Sequence, residues 1–401
     1  MTGLHTIEAM RDAARRRLPR FAFDFVDGGS GAESALARNC AAFEAVRLLP
    51  RVLTGAVARD PSLELFGAKY ALPFGVAPIG LANLAGSGTD LGLAQAALDA
   101  GAPYTLSTAA TTSIETIART APGAWFQLYV GADHAIVEDL IDRAEAAGFK
   151  TLIVTVDVPA PGKRVRDLVN GFSLPLRPTP AMALDLLAHP GWALDLAANG
   201  APRFANLEAY GGKGAGAQSL AKLMAGQSSA RLDWALLADI RRRWKGALVV
   251  KGVLHPQDAA RLAELGADGV VVSNHGGRQL DSAPAPIEAL PAVRAAVGPR
   301  LPVLLDGGVR RGEDIARAVA LGADMVLLGR PFLYAAAARG ARRGGGELFA
   351  ILADELDRAM TQLGASTLAE LRQVEVFAPT TFNAAPARPD LRAVESRRTA
   401  P

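Results

Sequence analysis

From residue 74 onward, short apolar runs recur along the chain. Each ends in a polar or glycine-bearing turn and is followed by an alanine-rich stretch with helical spacing. The runs are Phe74 to Ala77, Tyr104 to Leu106, Trp125 to Leu128 and Leu152 to Val156. After a wide gap come Leu248 to Val250, Val270 to Val272, Val303 to Leu305 and Met325 to Leu328. The stretches between them, such as DLGLAQAALDAG, HAIVEDLIDRAEAAG, PQDAARLAELG and GEDIARAVALG, end on glycine, the residue favoured just past a helix terminus. Eight strand-helix units in series predict an α/β fold of the (β/α)8 type, a parallel TIM barrel. An open dinucleotide-binding sheet is disfavoured, because no GxGxxG follows the first run.

The remaining segments divide the chain. Residues 1–70 read as an N-terminal helical segment packing on the barrel, 71–370 as the barrel, and 371–401 as a loose proline- and arginine-rich tail. Residues 5 to 20 predict one amphipathic helix with a solvated basic end, and 21 to 34 a helix end followed by a turn. Residues 174–230, after the fourth strand, form a long insertion. Its LPLRPTPAMALDLLAHPGWALDLAANG stretch covers the barrel mouth, packs on another subunit or rests on a membrane. Its glycine-rich GGKGAGAQSLAKLMAGQSS is not a phosphate loop, since neither Ser nor Thr follows the Gly-Lys pair and no strand precedes it.

Bulk properties narrow the chemistry. With 50% hydrophobic and 21% charged residues, the 401-residue chain can bury a large core. A net charge of +3 argues against nucleic-acid binding through bulk charge. The single cysteine, Cys40, permits no intrachain disulfide and suits a reducing compartment. No signal sequence and no apolar run long enough for a bilayer are visible, so the expected location is cytoplasmic, with peripheral contact on the inner face of the membrane through 174–230. His5, His134, His189 and His255 lack paired ligand spacing, and no metal is expected.

In such a barrel the functional groups stand at the carboxyl ends of the strands. Here those ends carry Ala77-Pro78-Ile79-Gly80, Ser107, Gln127 with Tyr129, and Thr155 with Asp157 and then Arg164. They continue with Lys251, then Ser273 with His275 and Arg278, Asp306-Gly307-Gly308 with Arg310, and Gly329-Arg330. His275 is suited to proton transfer near neutral pH. Arg278 is suited to a two-pronged grip on an anion. Taken alone, SNHGGRQ reads equally well as a plain glycine turn; seven further polar strand ends favour an active site for an acidic small molecule. The last two units, LLDGGVRRG and VLLGRP, combine exposed backbone N–H groups, a helix start and an arginine, which suits phosphate. A phosphosugar isomerase or aldolase barrel would use the same phosphate site.

APIG, LSTAATTSIE, WFQLYV, TVDVPAPGKRVRD, VVKGV, SNHGGRQLD, LLDGGVRRG and LLGRP, in this order, resemble the FMN-dependent α-hydroxy-acid dehydrogenases and oxidases over about residues 5 to 370. The resemblance implies FMN, with its phosphate against Gly307, Gly308, Arg310, Gly329 and Arg330 and its ribityl hydroxyls on Asp306. Ala77, Pro78, Ile79, Ser107, Gln127, Thr155 and Ser273 would line the flavin ring, and Lys251 would stabilise the negative charge it gains. Arg164 and Arg278 would clamp the substrate carboxylate and Tyr129 would hydrogen-bond the substrate. His275 would be the base, oriented by Asp157. Two departures bear on the substrate. Phe25 stands where the family usually has a tyrosine, and Ala109 where glycolate oxidases have a tryptophan, which leaves room for a bulkier acid.

The insertion is similar to that of the membrane-associated mandelate and lactate dehydrogenases. It implies a homo-oligomeric, tetrameric enzyme that turns a mandelate- or lactate-like (S)-2-hydroxy acid into the 2-oxo acid and passes electrons to a quinone. The alternatives are an oxidase using dioxygen and a catalytically silent flavin-binding protein.

Overall fold

In a computed structural model the chain is described at residues 3–55, 58–172, 179–211 and 232–377. The glycine-rich run of the insertion and nearly all of the expected tail, from 378 on, lie outside the described residues. Three helices lead in: α1 (Ile7–Arg17), α2 (Arg20–Asp27) and α3 (Ser34–Ala45). Where one helix was expected over residues 5 to 20, the chain breaks. Leu18, which precedes Pro19, takes an extended conformation (φ −90°, ψ 140°), and a second helix starts behind the proline. Then come β1 (Arg47–Leu48) and the hairpin β2 (Leu63–Leu65) and β3 (Ala68–Tyr70).

The barrel begins with β4 (Phe74–Ile79), α4 (Thr89–Asp99), β5 (Tyr104–Ser107), α5 (Ile114–Thr120), β6 (Trp125–Tyr129), α6 (His134–Ala146) and β7 (Thr151–Thr155). After β7, the last strand of the first half, the described residues form α7 (Val165–Val169), α8 (Pro180–Ala188) and α9 (Pro190–Asn199). The second half runs α10 (Trp234–Arg243), β8 (Ala247–Val253), α11 (Pro256–Leu265), β9 (Gly269–Val272), α12 (Pro286–Val297), β10 (Val303–Asp306), α13 (Gly312–Ala320) and β11 (Met325–Leu328). It ends with α14 (Arg330–Arg339), α15 (Ala341–Leu363), α16 (Leu368–Leu371) and β12 (Val376–Phe377), which pairs with β1.

Strands β4 to β11 close into an eight-stranded parallel barrel, β11 pairing with β4. Every expected apolar run lies within one of these strands or overlaps it. Alternate side chains split the core in two. Those pointing inward, among them Trp125, Ile153, Val249, Val271, Leu304 and Met325, fill the barrel. The β2–β3 hairpin closes its amino end. Tyr70 Oη accepts the Trp125 indole N–H at 2.9 Å, and the Phe66 and Trp125 rings meet edge on at 5.5 Å. Filling the amino end leaves the carboxyl end as the open face.

The insertion helices pack against that end. Trp192 of α9 donates to the Leu84 carbonyl at 3.0 Å and sets its ring edge on Phe21 of α2. Asp185 of α8 caps the Arg20 amide at 2.6 Å. On the same helices Leu184, Leu187 and Leu194 stand at about 70% exposure or more. No helix among the described residues is long and apolar enough to cross a membrane.

Candidate active site

A cavity of about 720 Å³ opens at the carboxyl end of the barrel. On one wall His275 has left-handed backbone (φ 58°), and Gly276 and Gly277 continue in that region at 64° and 72°. The turn aims the imidazole inward. His275 Nδ1 lies 2.9 Å from Asp157 Oδ1, and Nε2 lies 3.3 Å from the Tyr129 hydroxyl. Asp157 fits beside the strand because Gly252 follows Lys251, where a Cβ would stand 2.5 Å from that of Asp157. Burial pushes the His275 imidazolium below its usual 6.5, with Asp157 opposing and Lys251 adding to the shift. Burial alone would raise Asp157, but the charges of His275 and Lys251 outweigh it and hold the carboxyl down. Neutral imidazole beside ionised carboxylate is the state of a proton acceptor. Burial also raises the Tyr129 hydroxyl, which stays protonated and able to donate.

Across from this wall the charge is positive. Arg278 reaches in beneath α2, donating through Nη1 to the carbonyls of Phe25 (2.8 Å) and Gly28 (3.1 Å). Arg164 holds Asp167 at 3.7 Å, and its buried Nε has no partner among the described residues. The Phe25 ring faces both guanidiniums, 5.0 Å from Arg278 and 5.7 Å from Arg164. Burial, together with the like charges of Arg164 and Arg330, disfavours the charged form of Arg278. An anion in the cavity relieves that cost.

At the barrel axis Lys251 is buried, donates to Ser273 Oγ at 2.9 Å and lies 3.0 Å from Asp306 Oδ2. Burial would lower the ammonium, but Asp306 and Asp157 outweigh it and keep Lys251 charged. Asp306 Oδ1 is buried without a partner among the described residues, an acceptor awaiting a donor. Beyond it Gly307 and Gly308 have φ of 94° and 91°, and a Cβ on Gly308 would collide with the Asn39 carbonyl. Arg310 commits Nη1 to the Val309 carbonyl at 2.8 Å, and α14 starts at Gly329 with its amino end toward the cavity. A glycine cradle, a helix amino end and an arginine form a phosphate-sized anion site. The unpartnered carboxylate oxygen and the buried lysine beside it suit a polyhydroxylated, electron-accepting ring. These features fit FMN.

Most expected site residues line this one cavity: Ala77, Pro78 and Ile79 on one strand end, Ala109, Tyr129 and Thr155 on the next three, then Arg164, Lys251, His275 and Arg278. Asp306, Gly307, Gly308, Arg310, Gly329 and Arg330 continue the wall, with Phe25 over the mouth. Ser107, Gln127, Asp157 and Ser273 stand behind it. Ser107 donates to Gln127 Oε1 (2.8 Å), whose amide donates to Thr155 Oγ1 (2.9 Å). Arg330 lines the cavity, and three of its side-chain nitrogens end on main-chain carbonyls. Sequence reasoning missed the apolar part of the wall, Leu81, Val158, Leu168, Phe172 and Phe204. They come from loops, the short helix α7 and the insertion, where no periodic pattern marks an inward position.

The sequence matches the family described as FMN-dependent dehydrogenase over residues 14–377. Among curated relatives, L-lactate dehydrogenase of Caulobacter vibrioides is 44% identical over 365 residues, covering 90% of this chain and 95% of that protein. L-lactate dehydrogenase of Pectobacterium atrosepticum is 42% identical, over 90% of this chain and 94% of its own. Among solved structures, the monotopic membrane protein (S)-mandelate dehydrogenase superposes with a TM-score of 0.90 at 38% identity, over 94% of this chain and 100% of that one. A mandelate oxidase gives 0.81 at 37% identity, over 94% and 99%.

Proposed function

The chain belongs to the FMN-dependent dehydrogenase family, and from that premise we propose that it oxidises an aryl or similarly bulky (S)-2-hydroxy acid with His275 as its base. That it is an FMN-dependent enzyme oxidising 2-hydroxy acids follows from the family. The observation that carries the residue assignment is His275, held between Asp157 and Tyr129 and facing two guanidiniums across one cavity.

The carboxylate of the acid meets Arg164 and Arg278, which fixes the α-carbon relative to His275. Tyr129 donates to the substrate, and His275 Nε2 takes a proton as the alcohol becomes a ketone. Asp157 offsets the imidazolium charge that results. The reaction removes two electrons and two protons from the acid, and bound FMN supplies the two-electron acceptor. Gly308, Arg310 and the backbone at Gly329 would hold its phosphate, Asp306 its ribityl chain, and Lys251 would supply positive charge for the ring. The side chain of the acid points to the apolar wall of Leu168, Phe172 and Phe204, where Ala109 leaves space. Phe25 supplies no hydroxyl to the carboxylate, which rests on the two arginines.

The exposed leucines of α8 and α9 support seating on a membrane surface, where a quinone receives the electrons. The monotopic neighbour supports the same reading. The experiment is anaerobic addition of (S)-mandelate, L-lactate and glycolate to the yellow protein, followed by a soluble quinone or by oxygen. Fastest bleaching by mandelate and fastest recovery with quinone are expected. Fastest bleaching by glycolate overturns the substrate class, and fastest recovery with oxygen overturns the acceptor.

A further inference from the structure

We propose that Arg330 is a positioning residue for the catalytic turn and not a ligand of the cofactor phosphate. An arginine has five N–H donors. Three of those of Arg330 are committed: Nε to the Val26 carbonyl at 3.1 Å, Nη1 to Gly276 at 2.8 Å and Nη2 to Gly28 at 2.7 Å. The acceptors belong to two segments, the end of α2 and the turn that begins at His275. One planar guanidinium therefore pins the α2 terminus to the catalytic turn.

That turn needs pinning. His275, Gly276 and Gly277 all have positive φ, a region a non-glycine residue seldom adopts. Such a conformation persists only where its surroundings over-determine it. The hydrogen bonds that hold it come from all sides. Ser273 Oγ accepts the His275 amide at 3.0 Å, Asn274 Oδ1 accepts the Gly277 amide at 3.0 Å, and the Gly277 carbonyl accepts the Ser30 amide at 2.9 Å. The Gly276 carbonyl is held by Arg330. There is no slack at this contact, since a Cβ on Gly276 would lie 2.6 Å from Nη1. Gly28 carries a second consequence. Its carbonyl accepts from both Arg330 and Arg278, so a shift of one guanidinium moves the other. Arg330 thus sets His275 and Arg278 relative to each other without touching substrate. The phosphate falls to Arg310, which commits a single nitrogen to the Val309 carbonyl.

The inference rests on His275 being the base, and its test has an arm that does not. Apoprotein of wild type, Arg330→Met, Arg330→Lys and Arg310→Met is titrated with FMN and with riboflavin, which lacks the phosphate. The FMN-over-riboflavin preference should collapse in Arg310→Met and remain at the wild-type ratio in both Arg330 variants. Reconstituted Arg330→Met should lose on the order of 100-fold in kcat, the scale for misplaced catalytic groups. The acid limb of its pH profile should move, because the His275 environment changes. Arg330→Lys, which cannot reach three carbonyls, should recover only part of the loss. A wild-type kcat and pH profile in Arg330→Lys overturns the proposal, as does a phosphate preference in Arg330→Met as weak as in Arg310→Met. Should Arg330→Met not fold, the lysine variant decides by the same readouts. If His275→Ala keeps full activity the base assignment fails, and the FMN-to-riboflavin ratio still reports on Arg330.

Discussion

Replacing Asp157 by asparagine removes one charge and keeps the shape. Asp157 Oδ1 and His275 Nδ1 are 2.9 Å apart, and both side chains are mostly buried. Placing the charge centres about 4 Å apart at an effective dielectric of about 20 gives an attraction of about 4 kcal/mol. The sign follows from which form Asp157 favours. It stabilises the imidazolium, so Asp157→Asn lowers the His275 pKa and moves the acid limb of kcat/KM to lower pH. The same stabilisation acts where His275 gathers its proton, so kcat should fall by about 10²- to 10³-fold. The assay is steady-state oxidation of (S)-mandelate with a dye acceptor between pH 4.5 and 9, with flavin content measured in each preparation. A variant with full flavin, undiminished kcat and an unmoved acid limb refutes the dyad.

Further outcomes are expected. In the wild type burial holds His275 below 6.5, so the free enzyme keeps a neutral base until the pH drops under that value, and kcat/KM should fall only there. Below 6.5 the unfolded chain takes up this proton first, so the His275 contribution to stability declines as pH falls, which pH-dependent urea melts can read. Phe25→Tyr places a hydroxyl beside Arg164 and Arg278; a hydrogen bond to a charged group is worth about 1.5–3 kcal/mol, so KM for mandelate should drop by roughly 10- to 100-fold, and an unchanged KM sinks the argument. Ala109→Trp fills the space beside Gly80 and should shift kcat/KM from mandelate toward glycolate by more than about 10-fold. Gly308→Ala forces a Cβ onto the Asn39 carbonyl at φ 91°, at a cost of about 1–3 kcal/mol, and should be recovered with little flavin and a lower melting temperature.

The barrel was legible because a buried parallel strand declares itself. Val270–Val272 and Met325–Leu328 have no other reason to be so uniformly apolar, and the turns after them concentrate His275, Arg278, Gly329 and Arg330. The eight-unit rhythm then placed those residues at one end. Three features were missed. The break at Leu18-Pro19 was written in the sequence, yet the helical spacing on either side masked it. The partners of Arg330 lie 54, 302 and 304 residues away, and a bond to a carbonyl leaves no mark on the identity of the residue accepting it. The apolar wall of Leu168, Phe172 and Phe204 was hidden for the same reason. Loops and the single turn of α7 converge on it through tertiary packing, too short to carry a period that reveals which side chain turns inward.

The most direct test of the account compares wild type with His275→Ala in a single anaerobic turnover. Both should be purified yellow, with FMN bound. On mixing with (S)-mandelate, the wild type should lose its visible flavin absorbance within one exponential phase. His275→Ala should retain it, slowed by at least about 10²-fold, the lower bound for a lost general base. Equal bleaching rates in the two proteins would contradict the central claim that His275 takes the proton.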